Sequence, residues 1–258
     1  MATTYFVDRQ SIVREIWGKS DTILFIFAGS AAEFALNKAV DWLYFTGKLP
    51  GDPLNRLFST VAYARAIIFS ESDAALRAID AMAAIHARVE EKRAQHIPDW
   101  AYRDVLYMLI DYSIRSFELL ERSMSSAEKV EVFNVFRRVG NRMGLNGLPA
   151  TFDDWETQRR SHLAQNLSPS TYTQDLFNQY RKHLGTLRYR ILVESQKLVI
   201  PTSVRAQLGF SKFSLLSPLL HGYRITRRLK FDWFVKALIV PPKYKNEVHA
   251  LDRIPQRY

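Results

Sequence analysis

The sequence predicts an all-α protein, a multi-helix globular bundle. Three observations carry this. Long stretches repeat apolar residues with the helical period, and few alternate. Cap residues stand ahead of these runs and Gly or Pro behind them. The 258 residues, 47% hydrophobic and 24% charged, are enough to bury a sizeable core.

The helices run in order along the chain. Residues 21–45 open at Ser20/Asp21 and stop at Gly47. Glu33, Lys38 and Asp41 interrupt this apolar run, so it reads as a buried core helix and not as a membrane span. Pro53 suits the first turn of a helix to about Phe69. Ser70 or Ser72 caps an Ala-rich helix to about Gln95, and Asp99 precedes another to about Arg122. Ser125 to Glu128 has capping-box spacing and opens a helix ending near Gly144. Thr151 opens the next, to about Asn166, and Ser170 a further one to His183, closed by Gly185. Beyond Pro201 the pattern is shorter and more broken. Residues 1–200 are expected to form the helical domain, and 201–258 a basic, aromatic-rich extension packed on it or on a membrane surface.

Several chemistries are excluded. The chain has no Cys, which removes disulfides, thiolate metal sites and Cys nucleophiles. No P-loop, dinucleotide-binding glycine motif, His-Glu-x-x-His or Gly-x-Ser-x-Gly elbow occurs. The first eight residues lack the order of a signal peptide, so a cytoplasmic location is expected, with contact at the inner membrane face.

His86 is the most distinctive histidine. It shares a helix face with Met82 and Val89, and Ala83 and Ala87 leave room beside it. A neutral imidazole on an apolar, roomy face suits an axial haem ligand; it equally suits a core histidine satisfied by a carbonyl. Arg56, Thr60 and Tyr63 lie on one side of the preceding helix. A guanidinium suits a carboxylate such as a haem propionate, and a Thr hydroxyl suits an oxygen species; both residues also suit an ordinary helix surface.

Asp-Pro-Leu-Asn-Arg-Leu-Phe-Ser-Thr (52–60) with Ile-His-Ala-Arg-Val (85–89) resembles the oxygenase family of the latex-clearing proteins (rubber oxygenases) and the MpaB-type oxygenases. Ile97-Pro98-Asp99-Trp100, the Asp111 to Ser113 segment and Gly144 to Thr151 resemble later segments of that family. The resemblance covers roughly 22–165. It implies a fold enclosing a haem b pocket, with His86 matching the proximal ligand and Arg56 and Thr60 matching pocket residues. It also implies an oxygenase acting with O₂ on an apolar, unsaturated, isoprenoid or lipid-like substrate, with oxidative cleavage of a carbon–carbon double bond. The alternative is a helical haem-binding or membrane-associated protein without turnover. Two departures stand out. Glu90 replaces a Gly common in relatives, and Ser59 replaces the Lys of latex-clearing proteins, so a Lys-ligated state is not expected.

Some members of the family use an acidic residue upstream of the Arg, for which Glu33 and Asp41 are available. An acid buried unpaired is costly, so each needs a partner or a role; an exposed helix stripe is the alternative. Asp111 would orient His86 or pair with Arg56. Should His86 not hold the iron, His162 and His183 are next.

The charge is uneven. Residues 1–180 carry 20 Lys/Arg and 22 Asp/Glu, whereas 181–258 carry 16 and 4. The run from His221 to Lys245 interleaves cations with aromatic and aliphatic residues, which suits core packing or a membrane surface. With no nucleic-acid motif present, that partner is not expected.

Overall fold

The protein, seen in a computed structural model, is described for residues 4–45, 47, 51–228 and 251, with side chains at all of these but 53–57, 221 and 224–228. Among the described residues there are eleven helices and no strand. They are α1 (Ile12–Trp17), α2 (Ser20–Phe34), α3 (Val40–Phe45), α4 (Pro53–Phe69), α5 (Ser72–Arg93), α6 (Asp99–Leu120), α7 (Ser126–Arg142), α8 (Phe152–Gln165), α9 (Thr171–Val199), α10 (Thr202–Gln207) and α11 (Ser217–Arg228).

The centre is the α2–α6 pair. Helix α2 is apolar almost all round, as a helix covered on several sides must be; Ile23, Ile26, Phe27 and Ala32 are buried. Helix α6 meets it with Ile110, Tyr112 and Phe117. Gly29 allows the two to approach closely. A Cβ there would lie 2.3 Å from Cδ1 of Tyr112, inside any real contact distance. Trp17, at the end of α1, ties neighbouring helices to this centre. Its indole N–H donates to Ser113 Oγ at 3.2 Å, its carbonyl accepts from Arg65 Nη1 at 2.6 Å, and its ring packs on Phe27 and Phe136.

Local signals set most helix ends. The Ser125–Glu128 capping box is formed in both directions, as is one between Thr151 and Asp154, which satisfies backbone donors that the helices leave unpaired.

Two elements correct the sequence expectation. The single helix expected over 21–45 is two, α2 and α3, broken at 35–39. Here the Leu36 carbonyl accepts from Ser168 N at 2.8 Å, and Lys38 N donates to the Asn166 carbonyl at 3.0 Å. Asn37 Oδ1 accepts from Ala39 N at 2.8 Å. The backbone groups of a continuing helix are thus paired with the segment after α8. The second correction is at Gly185, which does not close a helix but kinks one. Its φ is 73°, a left-handed value open to glycine, and the chain continues helically to Val199. Helix α1, too short to show a period, is an element that the pattern does not predict.

Candidate functional site

Helices α4 and α5 are joined by two residues and pack together, an αα-hairpin. Counting back and forward from that turn puts the backbone of Arg56 level with Ile85, one residue before His86, and that of Thr60 level with Ala81, one before Met82. The side chain of Arg56 lies outside the described residues; those of Thr60 and Tyr63 are half-buried. Beyond Ile79 no residue of α5 is buried, so the half of the helix that carries His86 is thinly covered. On its more covered face stand Met82, His86 and Val89, all half-buried; Ala81, Ala84 and Ala87 are exposed.

The His86 ring meets the Tyr102 ring edge-to-face, with centroids 5.3 Å apart and planes at 89°. Tyr102 is itself fixed: its hydroxyl donates to Glu90 Oε1 at 3.1 Å. The same oxygen accepts from Ile97 N at 2.8 Å. Burial, then the Glu90 carboxylate, push the Tyr102 hydroxyl far above its ordinary range, so it remains a donor. Glu90 thus ties the start of α6 to the end of α5 and holds the aromatic edge that faces His86.

A second cluster lies between α2, α6 and α8. Glu33 is fully buried. Its Oε1 accepts from Arg159 Nη1 at 2.5 Å and its Oε2 from Arg159 Nη2 at 2.6 Å, a bidentate pair. Oε2 also accepts from the Tyr112 hydroxyl at 2.8 Å. The same guanidinium reaches Asp111 Oδ2 through Nε at 3.0 Å and Nη2 at 2.9 Å, and Arg115 Nε donates to Asp111 Oδ1 at 2.6 Å. His162 stands between two carboxylates, with Nε2 2.9 Å from Glu33 Oε1 and Nδ1 2.6 Å from Asp104 Oδ1. Asn37 and Asn166 complete Asp104 with amide donors.

Charge in this cluster is balanced group by group. Burial pushes the Glu33 carboxyl up, but Arg159 and then His162 outweigh it and hold the group at about 2. Burial opposes charge on His162 as well, and its bonds to Asp104 and Glu33 prevail, raising it above the ordinary 6.5. Arg159 is raised by Glu33 and Asp111 against its own burial. Glu33, Arg159 and His162 are thus each favoured in the charged form, and each carboxylate of the cluster faces a cation or amide donors. This is how buried charge is tolerated.

These contacts bear on several expectations. Asp111 meets Arg159 and Arg115 and does not orient His86. It stands nine residues beyond Tyr102 on α6, about 13 Å along the axis. His162 has both ring nitrogens bonded to carboxylates, so it offers none to an iron. Glu33 is engaged by Arg159, His162 and Tyr112, out of reach of solvent. Asp41, half-exposed, pairs with Arg93 at 2.6 Å, whose guanidinium also lies 4.0 Å over the Trp42 ring. Sequence reasoning does not single out Arg159, Tyr112 or Asp104. Their signal is a polar stripe: Asp104 and Asp111 are two turns apart on one face of apolar α6, and Arg159 and His162 on α8 and Asn166 at its C-cap recur at helical spacing.

Whether the His86 region fits a haem turns on donors and room. No three His, Asp or Glu converge as a metal-ligand set among the described residues, but an iron whose in-plane ligands come from a porphyrin needs one imidazole. His86, half-buried beside Met82 and Val89 on the thinly covered half of α5, is an imidazole of the kind that need calls for. A cleft of about 1080 Å³ between residues 4–10 and α7 includes none of these residues. Among the described residues no helix is long and apolar enough to cross a membrane.

No curated protein and no solved structure matches the chain. The family profile described as "ER-bound oxygenase mpaB/B′/Rubber oxygenase, catalytic domain" matches residues 17–237, which takes in α2 to α11, His86 and the Glu33–Arg159 cluster. The match runs well beyond the 22–165 that the motifs suggest, and the chain belongs to this oxygenase family.

Proposed function

We propose that the protein is a haem b-dependent oxygenase acting on an apolar, unsaturated substrate of isoprenoid or lipid-like kind, in the cytoplasm. The observation that carries this is the position of His86: half-buried on the open, Ala-rich half of α5, within one residue of the level of Arg56 on α4, in a chain of an oxygenase family. When bound, haem supplies the activation of O₂.

The chain's own residues would do the rest. His86 would hold the iron through one ring nitrogen, with Tyr102 fixing the plane of the imidazole and Glu90 fixing Tyr102. Arg56 would meet a propionate carboxylate. Thr60 would supply a hydroxyl that can donate or accept a hydrogen bond in the pocket. Met82 and Tyr63 would supply apolar wall. The Glu33–Arg159–Asp111 cluster locks α2, α6 and α8 together, and the adjoining Asp104, held by His162, Asn37 and Asn166, fixes the start of α6, where Tyr102 stands.

The reaction class is cleavage of a carbon–carbon double bond by one O₂, leaving a carbonyl on each fragment with one oxygen atom in each. Unsaturated isoprenoid and lipid substrates incubated under isotopically heavy O₂, with products read by mass spectrometry, test it. Labelled carbonyl fragments are expected. Haem binding with no product from any unsaturated substrate would favour a haem-handling role without turnover.

A further inference from the structure

Among the described residues, the four most exposed large apolar side chains all lie between 187 and 219: Phe213 at 85%, Leu215 at 80%, Leu187 at 64% and Leu219 at 63%. Single exposed leucines need no account. Here the display is built. Ser214 is buried; its hydroxyl donates to the Glu194 carbonyl at 2.8 Å and accepts from Leu216 N at 3.1 Å. Leu215 N donates to the Glu194 carboxylate at 2.7 Å. With Ser214 turned inward and anchored, its neighbours Phe213 and Leu215 are held outward. Leu219 comes four residues after Leu215, in the first turn of α11. Leu187 lies on the Glu194 face of α9, two turns away, about 10 Å along the axis.

The charge along this stretch of chain is almost all of one sign. Residues 181–223 hold seven Lys/Arg and one acid, Glu194, and Glu194 is itself paired with Lys197 at 2.6 Å. Lys212 is exposed beside Phe213. We infer that the ridge Phe213–Leu215–Leu219 inserts into the interface of an anionic phospholipid bilayer, with Lys212 and its fellow cations at headgroup level. Apolar insertion framed by cations is the chemistry of interfacial attachment. Two copies of this face would set like charges against each other. Nucleic acid would want aromatic stacking platforms, which the leucines do not provide. The ridge does not draw on the aromatic run around Phe231 to Val240, which lies outside the described residues, and it stands independently of the haem reading.

The test uses the full chain with vesicles of equal parts phosphatidylcholine and phosphatidylglycerol, against phosphatidylcholine alone. Wild type is expected to co-sediment with the mixed vesicles, less so as salt rises, and weakly with the neutral ones. Phe213→Ser/Leu215→Ser, with unchanged helical circular dichroism, is expected to bind at least about tenfold more weakly. Because the chain has no Cys, Phe213→Cys gives a single labelling site; an environment-sensitive dye there should shift to the blue on mixed vesicles. The inference is overturned if wild type ignores anionic lipid, if the double variant binds like wild type, or if the dye stays in water. A wild-type dimer that the double variant dissolves, seen by sedimentation velocity, would assign the ridge to a second copy and overturn it too.

Discussion

Replacing Arg159 with Leu removes the cation on which two buried carboxylates depend. The side chain makes four hydrogen bonds, two to Glu33 and two to Asp111. Holding the Glu33 carboxyl at about 2 instead of its ordinary 4.5 corresponds to about 3 kcal/mol in favour of the paired carboxylate. Breaking a buried pair by removing one partner costs about 3–5 kcal/mol. The two routes agree. Arg115 still meets Asp111 and His162 still meets Glu33, which places Arg159→Leu at the lower end, about 3 kcal/mol. For a chain of this size that is on the order of 10 °C in Tm. Urea unfolding followed by circular dichroism at neutral pH measures it. Arg159→Lys, which keeps the charge but not the bidentate fork, should lose less. A loss below about 1 kcal/mol for Arg159→Leu would mean that the pair behaves as an exposed one, and the buried-charge explanation would fall.

Three further perturbations probe the cluster, the helix packing and the His86 region. Glu33 is depressed on folding, so its contribution is present above 4.5 and fades as pH falls towards about 2; His162 is raised, so its contribution is full below 6.5 and fades as pH rises above it. Unfolding curves across pH should show both limbs, with His162→Gln flattening the alkaline one; a wild-type stability that is flat from about pH 3 to about pH 9 would contradict this. Gly29→Ala puts a methyl against the Tyr112 ring and should destabilise by about 1–3 kcal/mol in spite of Ala's better helix propensity, whereas a neutral result would mean that α2 and α6 separate at little cost. Arg56→Ala and Thr60→Ala should retain haem with altered spectra and impaired turnover, and wild-type turnover in both would make them structural.

What the sequence made legible was local. Pro53, Ser125 and Thr151 mark helix starts by side chains acting within a turn or two, and those starts are where the chain folds. The break at 35–39 has only a weak local mark, Asn37, whose Oδ1 accepts from Ala39 N. Ala35 to Ala39 contains neither Gly nor Pro, and the interruption comes from residues 166–168, more than 120 positions away, pairing with Leu36 and Lys38. Gly185 announces a left-handed residue but not whether the helix resumes. The site divides the same way. His86 with Met82 and Val89 is a pattern within one helix. Arg159 meets Glu33 and Asp111 only once three helices are packed, so its partners are hidden in the sequence while the acids themselves are conspicuous. The requirement that buried Glu33 have a partner holds; the partner sits 126 residues away.

That His86 holds a haem is the point on which the proposed chemistry stands. It is decided by the absorption spectrum of the purified protein after haem-supplemented expression, taken beside that of His86→Ala. A Soret band is expected in the wild type and its loss in His86→Ala, with the helical circular dichroism of the variant unchanged. A colourless wild type, or a His86→Ala spectrum identical to that of the wild type, would remove His86 as the haem ligand.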